Sequence, residues 1–593
     1  MTASLELGLV GNGQISALVD DQGRIVWGCM PRLDGDPVFS ALVDDGAERG
    51  YFAIELSGHQ ATLQYYERNT AILHSEMFDA GGNGIRITDF APRFSQYGRR
   101  FRPTTLIRRI EILAGSPVVT IRLRPNSNYG SGDVRVTRGS NHARYLLDDQ
   151  VLRLTTDAPL TAVLQETPLV LDGPLTLALG PDESVTEAVG EMAQRFFVDT
   201  RTYWLEWVRS LAIPFEWQQA VIRAAITLKL STYDDTGAVV AAMTTSIPEA
   251  ADSGRNWDYR YCWLRDAWFV VQALNRLGAT ATMERYLRYI INLVAASDDA
   301  TLQPLYGLGG ERRLDETTAP GLAGYRGMQP VRVGNDAYRQ IQHDSYGAII
   351  LAATQAFFDE RLGHPGDEAL FRRLEPLGEQ ATRLFDQPDA GIWEYRGHEK
   401  THTYSAAMCW AACDRLARIA AHLDLQADAA RWRDRAATMH ATIVEQGWSE
   451  ARGAFVESFG GERLDASLLL LHELGFIAGD DPRFVATVEA IERELRRGNH
   501  LFRYIGDDDF GRPENAFTIC TFWFINALAA IGRRDDARQM YENLLASRTR
   551  LGLLSEDIDP TTGELWGNFP QTYSMVGLIH SGLLLSRPWE DAF

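Results

Sequence analysis

The feature that most limits how this chain can fold is the alternation of connections in its second part. From about residue 215 onward, apolar residues recur with a period of about 3.6 residues in about twelve successive stretches, each of which predicts a helix. The connections after odd-numbered helices are long and rich in Trp, Gly, Asp and Glu, whereas those after even-numbered helices are short. Up-and-down helices with this alternation place all the long loops on one face. Six such hairpins around a closed ring form an (α/α)6 barrel with a concave rim.

The first part of the chain, up to about residue 195, has a different pattern. Short β-rich segments such as YFAIEL, PVVTIRLRP and LTLALG are separated by clusters of Gly, Asp, Asn and Pro, which is typical of an antiparallel β-sandwich. The sequence therefore predicts a multidomain β + α protein, with an N-terminal antiparallel β-sandwich followed by an (α/α)6 barrel. We place the sandwich at residues 1–195, a linker at 196–214 and the barrel at 215–593.

The acidic composition limits the kinds of partner. The 593 residues include 79 Asp and Glu against 58 Lys and Arg, which gives a formal net charge of -21. Nucleic acids and anionic membranes select proteins with an excess of Lys and Arg. We therefore expect a small neutral partner, with no nucleic acid and no membrane. Whether the chain forms a homo-oligomer stays open.

The cysteines and the N-terminus indicate a cytoplasmic protein that needs no metal or other cofactor. The five cysteines are odd in number and scattered, which is typical of reduced thiols. Cys409 and Cys413 lie one helical turn apart, but no CxxC or paired-histidine spacing accompanies them. The first residues, MTASLELGLVGNGQIS, have neither the basic n-region nor the apolar h-region of a signal peptide.

The stretch at residues 255–278, RNWDYRYCWLRDAWFVVQALNRLG, crowds aromatic rings and charges ahead of a helix. One interpretation is a sugar pocket, where charged groups bind hydroxyls and a ring packs against the apolar face of a pyranose. The other is structural, with Arg and Asp paired beneath a Trp lid. Because the stretch ends the first long loop and begins the second helix, it directs Arg265 and Asp266 into the barrel mouth.

Two glutamates on other long loops are candidates for acid–base chemistry. Glu394 directly follows Trp393 in DAGIWEYRG, and a carboxyl group against an indole is partly desolvated and keeps its proton, as a general acid requires. Glu556 lies in LLSEDIDPTTGE, where hydrogen-bonding neighbours would keep a carboxylate ionised as a general base. Either glutamate alone is more commonly a cap or a solvated charge. Together on one rim they match the pair that glycoside hydrolysis needs.

Five motifs resemble those of glycoside hydrolase family 15, the group of glucoamylases, glucodextranases and bacterial trehalases. They extend over nearly the whole chain: GLVGNGQISALVDDQGRIVWGCMPRLDGDPVF, RNWDYRYCWLRDA, GIWEYRG, ENAFTICTFW and LLSEDIDPTTGELWGNFPQTYS. The resemblance implies a β-sandwich before a catalytic (α/α)6 barrel and hydrolysis with inversion at the anomeric carbon. Similar enzymes often have Glu or Gln after the base, where this chain has Asp557.

The resemblance also implies roles for individual residues. Glu394 matches the general acid, Glu556 the general base, and Arg265 with Asp266 the pair that grips the non-reducing glucose. The remaining matches are to the aromatic wall and to loops directed at the substrate: Trp257, Tyr259, Trp263, Trp393, Arg332, Gln342 and Glu514. The acidic stretch GDDDFG at residues 506–511, by contrast, reads as a solvated turn.

Three other functions were weighed against an exo-acting α-glucoside hydrolase. A sugar phosphorylase on a related barrel would not need the second carboxylate, and Glu556 counts against it. A terpene cyclase or lyase requires DDxxD or DxDD clusters, which are absent from this sequence. A non-catalytic carbohydrate-binding protein would keep the rings and lose an acid, whereas both glutamates are present.

The residues do not choose between trehalose and short malto- or isomalto-oligosaccharides as the substrate. The leaving-group subsite is shaped by the geometry of loops, which local sequence does not reveal. A cytoplasmic enzyme favours a small substrate over starch, because a polymer of that size does not enter the cytosol. We therefore expect trehalose or a short α-glucoside, from which a non-reducing glucose is released as the β anomer.

Overall fold

Two antiparallel sheets and a ring of helices make up this protein, which is described from a computed structural model covering residues 3–296 and 300–592. Residues 1, 2, 297–299 and 593 belong to the predicted domains but lie outside the described residues.

Between residues 3 and 181, all of them described, the chain forms seventeen strands. They are β1 (Gly8–Gly11), β2 (Ser16–Val19), β3 (Ile25–Cys29), β4 (Pro37–Phe39), β5 (Tyr51–Leu56), β6 (His59–Tyr66), β7 (Leu73–Asp79), β8 (Gly84–Phe90), β9 (Phe94–Gln96), β10 (Arg99–Phe101), β11 (Leu106–Ala114), β12 (Val118–Arg124), β13 (Arg135–Arg138), β14 (His142–Leu146), β15 (Val151–Thr156), β16 (Leu169–Val170) and β17 (Leu175–Pro181).

Most of these strands form two sheets that face each other. The first has the order β1-β2-β3-β5-β12-β16, with β4 paired to β3, and the second has the order β13-β14-β15-β17-β11-β8-β7-β6. Side chains of both sheets, among them Val10 and Ile54 from the first and Leu73 and Ile87 from the second, pack into one buried apolar core. The predicted antiparallel β-sandwich is confirmed.

Fourteen α-helices lie within the described residues. They are α1 (Leu160–Gln165), α2 (Val189–Arg209), α3 (Gln218–Leu230), α4 (Ala267–Arg276), α5 (Thr280–Ala295), α6 (Asp344–Phe358), α7 (Glu368–Leu384), α8 (Thr403–His422), α9 (Gln426–Gly447), α10 (Leu470–Glu473), α11 (Pro482–Leu495), α12 (Thr518–Ala530), α13 (Arg534–Ala546) and α14 (Thr572–Leu585).

Helices α3–α14 close into a double ring. The inner helices contact one another in a circle, from α4 through α6, α8, α10, α12 and α14 back to α4. Each outer helix packs against its inner neighbours, as α5 does against α4 and α6. Helices α6, α8, α12 and α14 are buried on almost every side, which explains why their sequences have no broad polar stripe. The predicted (α/α)6 barrel is confirmed.

The long connections all run from an outer helix to the first turn of an inner helix, so they gather at one end of the barrel. Two-residue strands pair with one another within and between these connections and hold the connections in place. They are β18 (Cys262–Trp263), β19 (Leu305–Tyr306), β20 (Thr317–Thr318), β21 (Arg332–Val333), β22 (Trp448–Ser449), β23 (Ala454–Phe455), β24 (Arg496–Arg497), β25 (His500–Leu501), β26 (Ala516–Phe517), β27 (Asp557–Ile558) and β28 (Leu565–Trp566).

The segment at residues 196–214, which the sequence predicts as a linker, is helical over most of its length. Helix α2 begins at Val189, inside the predicted sandwich, and runs to Arg209. Its buried residues, including Met192, Thr200 and Trp204, lie on one face, and the many charged residues between them hide this pattern in the sequence. The connection between the two domains is therefore a packed helix.

The sandwich and the barrel share a buried apolar core. Leu9, Leu18 and Trp27 from the sandwich pack in the same cluster as the barrel helices, and the Trp27 indole donates a hydrogen bond to the Met243 carbonyl at 2.7 Å. Within residues 3–296 and 300–592, no helix combines the length and apolar character needed to cross a membrane.

Candidate active site

A cavity of about 880 Å³, measured to its open mouth, lies where the long connections meet. Eight of the residues singled out from the sequence line it: Trp257, Tyr259, Trp263, Arg265, Asp266, Trp393, Glu394 and Glu556. These residues come from three connections that are distant in sequence, so the closed ring of helices brings them together.

Residues 257–260 of the first long connection alternate between two sides of the segment. Trp257 and Tyr259 line the cavity. Asp258 and Arg260, which alternate with them along the chain, are wholly buried on the other side and form an ion pair with each other at 2.7 Å. Arg260 also donates to the Gly35 carbonyl of the sandwich at 2.7 Å. An extended backbone alternates its side chains in this way. Both interpretations of this stretch therefore hold, each for a different set of residues.

Glu394 lies at the cavity wall with its carboxylate held by two donors. The Trp263 indole nitrogen lies 2.6 Å from Oε1 of Glu394, and Nη1 of Arg265 lies 3.0 Å from the same oxygen. The Glu394 side chain keeps 21% of its surface exposed. Its backbone has a φ of 60°, a left-handed conformation that costs a non-glycine residue of order 1–3 kcal/mol and is found most often at functional sites.

Arg265 joins this carboxylate to the rest of the wall. Its Nη1 donates to the Ile392 carbonyl at 2.8 Å, and its Nε donates to Oδ1 of Asp266 at 3.2 Å. Burial raises the pKa of Asp266, and the charge of Arg265 opposes that shift. A single guanidinium thus fixes the positions of two carboxylates that face the cavity.

Glu556 is buried deeper than Glu394, with 1% of its surface exposed. The backbone N–H of Asn568 donates a hydrogen bond to Oε2 of Glu556 at 3.3 Å, and the Tyr259 hydroxyl donates a second hydrogen bond to this carboxylate. Burial raises the pKa of Glu556, and the nearby charge of Glu249 raises it further, against the opposing effects of Tyr259 and Arg503.

The expected contrast between the two glutamates is wrong in one respect. The sequence predicts a partly desolvated Glu394 and a Glu556 kept ionised by hydrogen-bonding neighbours, but the more deeply buried carboxylate is that of Glu556. Its neighbours in LLSEDIDPTTGE do not solvate it, because the connection folds inward and packs this residue under the strands β26–β28. Local sequence reveals which groups are adjacent but not which of them point to water.

Two aromatic rings connect the candidate carboxylates. The rings of Tyr259 and Trp263 pack edge to face, with centroids 5.2 Å apart and an interplanar angle of 67°. Tyr259 bonds to Glu556, and Trp263 bonds to Glu394. Neighbouring side chains of one short segment therefore fix the positions of both carboxylates, although Glu394 and Glu556 come from different connections.

Three predicted substrate-binding residues do not line the cavity. Arg332 lies behind Trp257, with its guanidinium 4.6 Å from the ring centroid, and pairs with Glu316 at 3.1 Å. Gln342 is buried and hydrogen-bonded to a neighbouring glutamine, and Glu514 is exposed to solvent. The lining of this cavity therefore does not include these three side chains.

Several lining residues could not be identified from the sequence. Arg503 donates to Glu249 at 2.7 Å, and the Trp257 indole donates to the same carboxylate at 3.1 Å. In GDDDFG, Asp508 pairs with buried Arg255 at 2.5 Å and Phe510 packs edge to face against Trp257. This stretch is a turn, as predicted, but part of it lines the cavity instead of lying free in solvent.

The described residues form no group of three or more His, Cys, Asp or Glu side chains arranged to hold a metal ion. Cys409 and Cys413 are both fully buried as free thiols.

Two family profiles match this chain. The profile described as "Glycosyl hydrolases family 15" matches residues 217–583, and the one described as "Trehalase-like, N-terminal" matches residues 3–157. A protein named Trehalase from Thermoplasma volcanium is 32% identical over 96% of this chain and 92% of its own length. A protein named Trehalase from Mycolicibacterium smegmatis is 31% identical over 99% and 92% of the two chains.

The fold also matches a solved structure. A bacterial glucoamylase complexed with acarbose superposes with a TM-score of 0.70 and 14% identity, and the match covers 98% of this chain and 94% of the glucoamylase. This likeness extends through the sandwich as well as the barrel. The chain belongs to family 15 of the glycosyl hydrolases.

Proposed function

We propose that this protein cleaves trehalose, or a short α-linked gluco-oligosaccharide, at its non-reducing glucose and inverts the anomeric carbon. As a family member the protein is a glycoside hydrolase that acts on α-glucosidic bonds. The observation that carries the proposal is the pair of carboxylates in one cavity, an accessible Glu394 and a buried Glu556, joined by the rings of Trp263 and Tyr259. No cofactor is needed for this chemistry.

Glu394 is the proposed general acid. Trp263 and Arg265 both donate to its Oε1, so Oε2 is the oxygen that can carry a proton to the glycosidic oxygen of the leaving group. Its partial exposure lets substrate approach this oxygen. The two donors fix the plane of the carboxyl group, which a proton transfer in the transition state requires.

Glu556 is the proposed general base. Ionised Glu556 would take a proton from a water molecule as that water attacks the anomeric carbon from the face opposite to the leaving group. The raised pKa makes this carboxylate a stronger base, and the hydrogen bond from Tyr259 together with the charge of Arg503 supports its ionised form. Room for that water requires the two carboxyl groups to be roughly 6.5–9.5 Å apart.

The remaining walls would hold the glucose ring. Arg265 and Asp266 form an adjacent donor and acceptor at the cavity wall, an arrangement that binds pairs of vicinal hydroxyls. Trp257 and Trp393 offer apolar surface beside them. Trehalose is the favoured substrate because relatives that match nearly the whole chain carry the name Trehalase. The five free, buried thiols support the predicted cytoplasmic location.

Glucose release from trehalose, maltose, isomaltose and starch, measured without phosphate, tests the substrate. Trehalose or another short α-glucoside should be cleaved faster than starch. Starch cleaved faster than every disaccharide would contradict the substrate, and turnover that requires phosphate would indicate a phosphorylase. Proton NMR in the first minutes should record β-glucose, and an initial α-glucose signal would exclude inversion.

Variants test the two roles. E394Q and E556Q should each lose about 10²–10⁴-fold or more in kcat while still binding substrate. Aryl α-glucosides, whose leaving groups need no proton, should restore much of the rate of E394Q but not that of E556Q. E514Q is the matched control, since Glu514 is exposed and outside the cavity lining. Near-native turnover by E394Q or E556Q would contradict that assignment.

A further inference from the structure

The side chains that line the active-site cavity differ in their exposure to solvent, and this difference separates its closed end from its mouth. Trp263, which bonds to the proposed acid, keeps 2% of its surface exposed. The Glu394 side chain keeps 21% exposed. The side chain of Arg396 and the residue Phe510 keep 30% and 37% exposed. Arg396 and Phe510 therefore lie at the mouth of the cavity.

The position of the proposed glucose subsite determines where the leaving group must lie. Arg265 and Asp266 would hold the terminal glucose at the inner wall. If the glucose is bound there, the bond to be cleaved lies beside Glu394 and the leaving group extends toward the mouth. A residue that binds the leaving group must therefore line the cavity between Glu394 and solvent. Arg396 meets this condition, since it lines the cavity and follows the proposed acid by two residues.

Three neighbours hold Arg396 in place. Its Nη2 donates to Oε2 of Glu316 at 3.0 Å, and its backbone N–H donates to Oδ2 of Asp509 at 2.6 Å. Its guanidinium carbon lies 4.2 Å from the ring centroid of Trp257, a stacked arrangement that favours a cation. A guanidinium that is already fixed loses little conformational freedom when a ligand binds.

Part of this guanidinium is free to bind a ligand. Glu316 accepts from Nη2 of Arg396, whereas Nε and Nη1 have no acceptor among the residues that the structure describes. These N–H groups suit the hydroxyl oxygens of a sugar. Phe510 offers apolar surface beside them, because its ring centroid lies 5.9 Å from the Arg396 guanidinium carbon. A donor next to an exposed ring is the pairing that a sugar ring needs.

We propose that Arg396 binds hydroxyl groups of the leaving sugar and so makes the enzyme selective for α-glucosides whose leaving group is itself a saccharide. Glu316 is the positioning residue, since it holds the guanidinium from outside the cavity lining. This inference rests on the proposed function, because it takes the glucose to lie beside Arg265 and Asp266. It adds the residue that contacts the second sugar.

Kinetics on two substrates that share the glucose test the role of Arg396. One is the α-linked disaccharide that the wild type cleaves fastest, and the other is p-nitrophenyl α-glucoside, whose leaving group has no sugar hydroxyls. R396Q should lower kcat/KM about 10–100-fold for the disaccharide and less than about threefold for the aryl glucoside. E316Q should lower the disaccharide value by a smaller factor.

R339Q is the matched control for the change of charge. Arg339 also stacks on a ring, that of Tyr338, and pairs with a carboxylate, that of Asp315, but it lies outside the cavity lining. R339Q should leave kcat/KM for both substrates unchanged. Equal losses on the two substrates in R396Q would mean that Arg396 only supports the cavity wall, which would overturn the proposal.

Calorimetric titration in the E556Q background separates sugar binding from proton donation. Adding R396Q should weaken binding of the disaccharide about 10–100-fold. It should leave binding of methyl α-glucoside, which lacks a second sugar, unchanged. Unchanged affinity for the disaccharide would also overturn the proposal, because Arg396 would then act on turnover alone. Wild-type protein that cleaves no α-glucoside would refute the proposed function itself.

Discussion

The indole nitrogen of Trp263 lies 2.6 Å from Oε1 of Glu394, and the same indole packs edge to face against Tyr259, whose hydroxyl bonds to Glu556. One tryptophan therefore sets the position of the proposed acid and supports the ring that touches the proposed base. The contributions of the Trp263 N–H group and of its ring to catalysis can be measured separately, because a substitution can remove the N–H group and keep an aromatic ring.

W263F keeps an aromatic ring and removes the N–H group. We expect kcat for trehalose to fall about 10–100-fold, since a hydrogen bond to a charged group contributes about 1.5–3 kcal/mol. Substrates with good leaving groups should lose less. Steady-state kinetics provide the measurement, with W448F as control because Trp448 packs against Phe455 outside the cavity lining. An unchanged kcat in W263F would show that Glu394 does not need this donor.

E249Q should move the acidic limb of the kcat/KM pH profile to lower pH. The charge of Glu249 raises the pKa of Glu556, and its removal leaves Arg503 with one partner fewer. Both changes favour ionised Glu556, so activity should persist to lower pH. The profile of kcat/KM provides the measurement. E457Q, which removes a buried carboxylate paired with Lys400, should leave the limb in place, and an upward shift in E249Q would contradict the charge argument.

E556Q should change how stability depends on pH. Because burial raises the pKa of Glu556, the folded chain ionises this group, and so forms the proposed base, at a higher pH than the unfolded chain, whose ordinary pKa is 4.5. Wild-type stability is therefore lost as pH rises from that value through the raised pKa, whereas E556Q has no such proton to lose. The variant should gain about 1–3 kcal/mol relative to wild type between pH 5 and pH 8. Denaturant unfolding at both pH values provides the measurement, and a constant difference would show that Glu556 is not held protonated.

Gly567 is expected to tolerate no side chain. Its φ is +72°, and an added Cβ would lie 2.6 Å from Cβ of Glu556 and 2.7 Å from its Oε2. We expect G567A to lower kcat about 10-fold or more as Glu556 shifts. G563A is the control, because Gly563 has a similar φ of +76° in the same connection with nothing within 4 Å. Equal activity losses in the two variants would attribute the effect to backbone strain alone.

R265K and D266N should reduce kcat/KM for trehalose about 10²-fold or more without unfolding the protein. A lysine amine cannot bond to the Ile392 carbonyl and Glu394 while also reaching Asp266, as the Arg265 fork does. Kinetics and melting curves together decide the outcome. A variant that melts far below wild type would mean that this pair has a mainly structural role.

The sequence was sufficient to predict both domains and the residues that stand inside recognisable motifs. Alternating connections indicated the closed ring, and Glu394 and Glu556 stand beside rings and glycines that marked them as unusual. Helix α2 was missed because charged residues obscure its buried face. The residues between motifs carry less local information, since their neighbours in sequence are not their neighbours in space.

Glu249 and Arg503 illustrate that limit. They are 254 residues apart and meet at 2.7 Å in the cavity lining, and each alone is an ordinary charged residue of a loop. Arg332 illustrates the converse limit. It lies close to the motifs in space, but it packs behind Trp257 and supports that ring from outside the cavity. Local sequence cannot distinguish a residue that lines the cavity from one that packs behind a lining residue.

The buried pair of Asp258 and Arg260 has a consequence for anyone who would reduce this protein to a smaller catalyst. Arg260 is anchored to the Gly35 carbonyl and the Tyr129 hydroxyl of the sandwich, and it lies in the segment whose rings Trp257, Tyr259 and Trp263 line the cavity. A barrel cut free of the sandwich would retain every candidate catalytic side chain in its sequence. It would expose a wholly buried ion pair and release the segment that sets Trp257 and Tyr259. We therefore expect the minimal catalytic unit of this enzyme to comprise both domains.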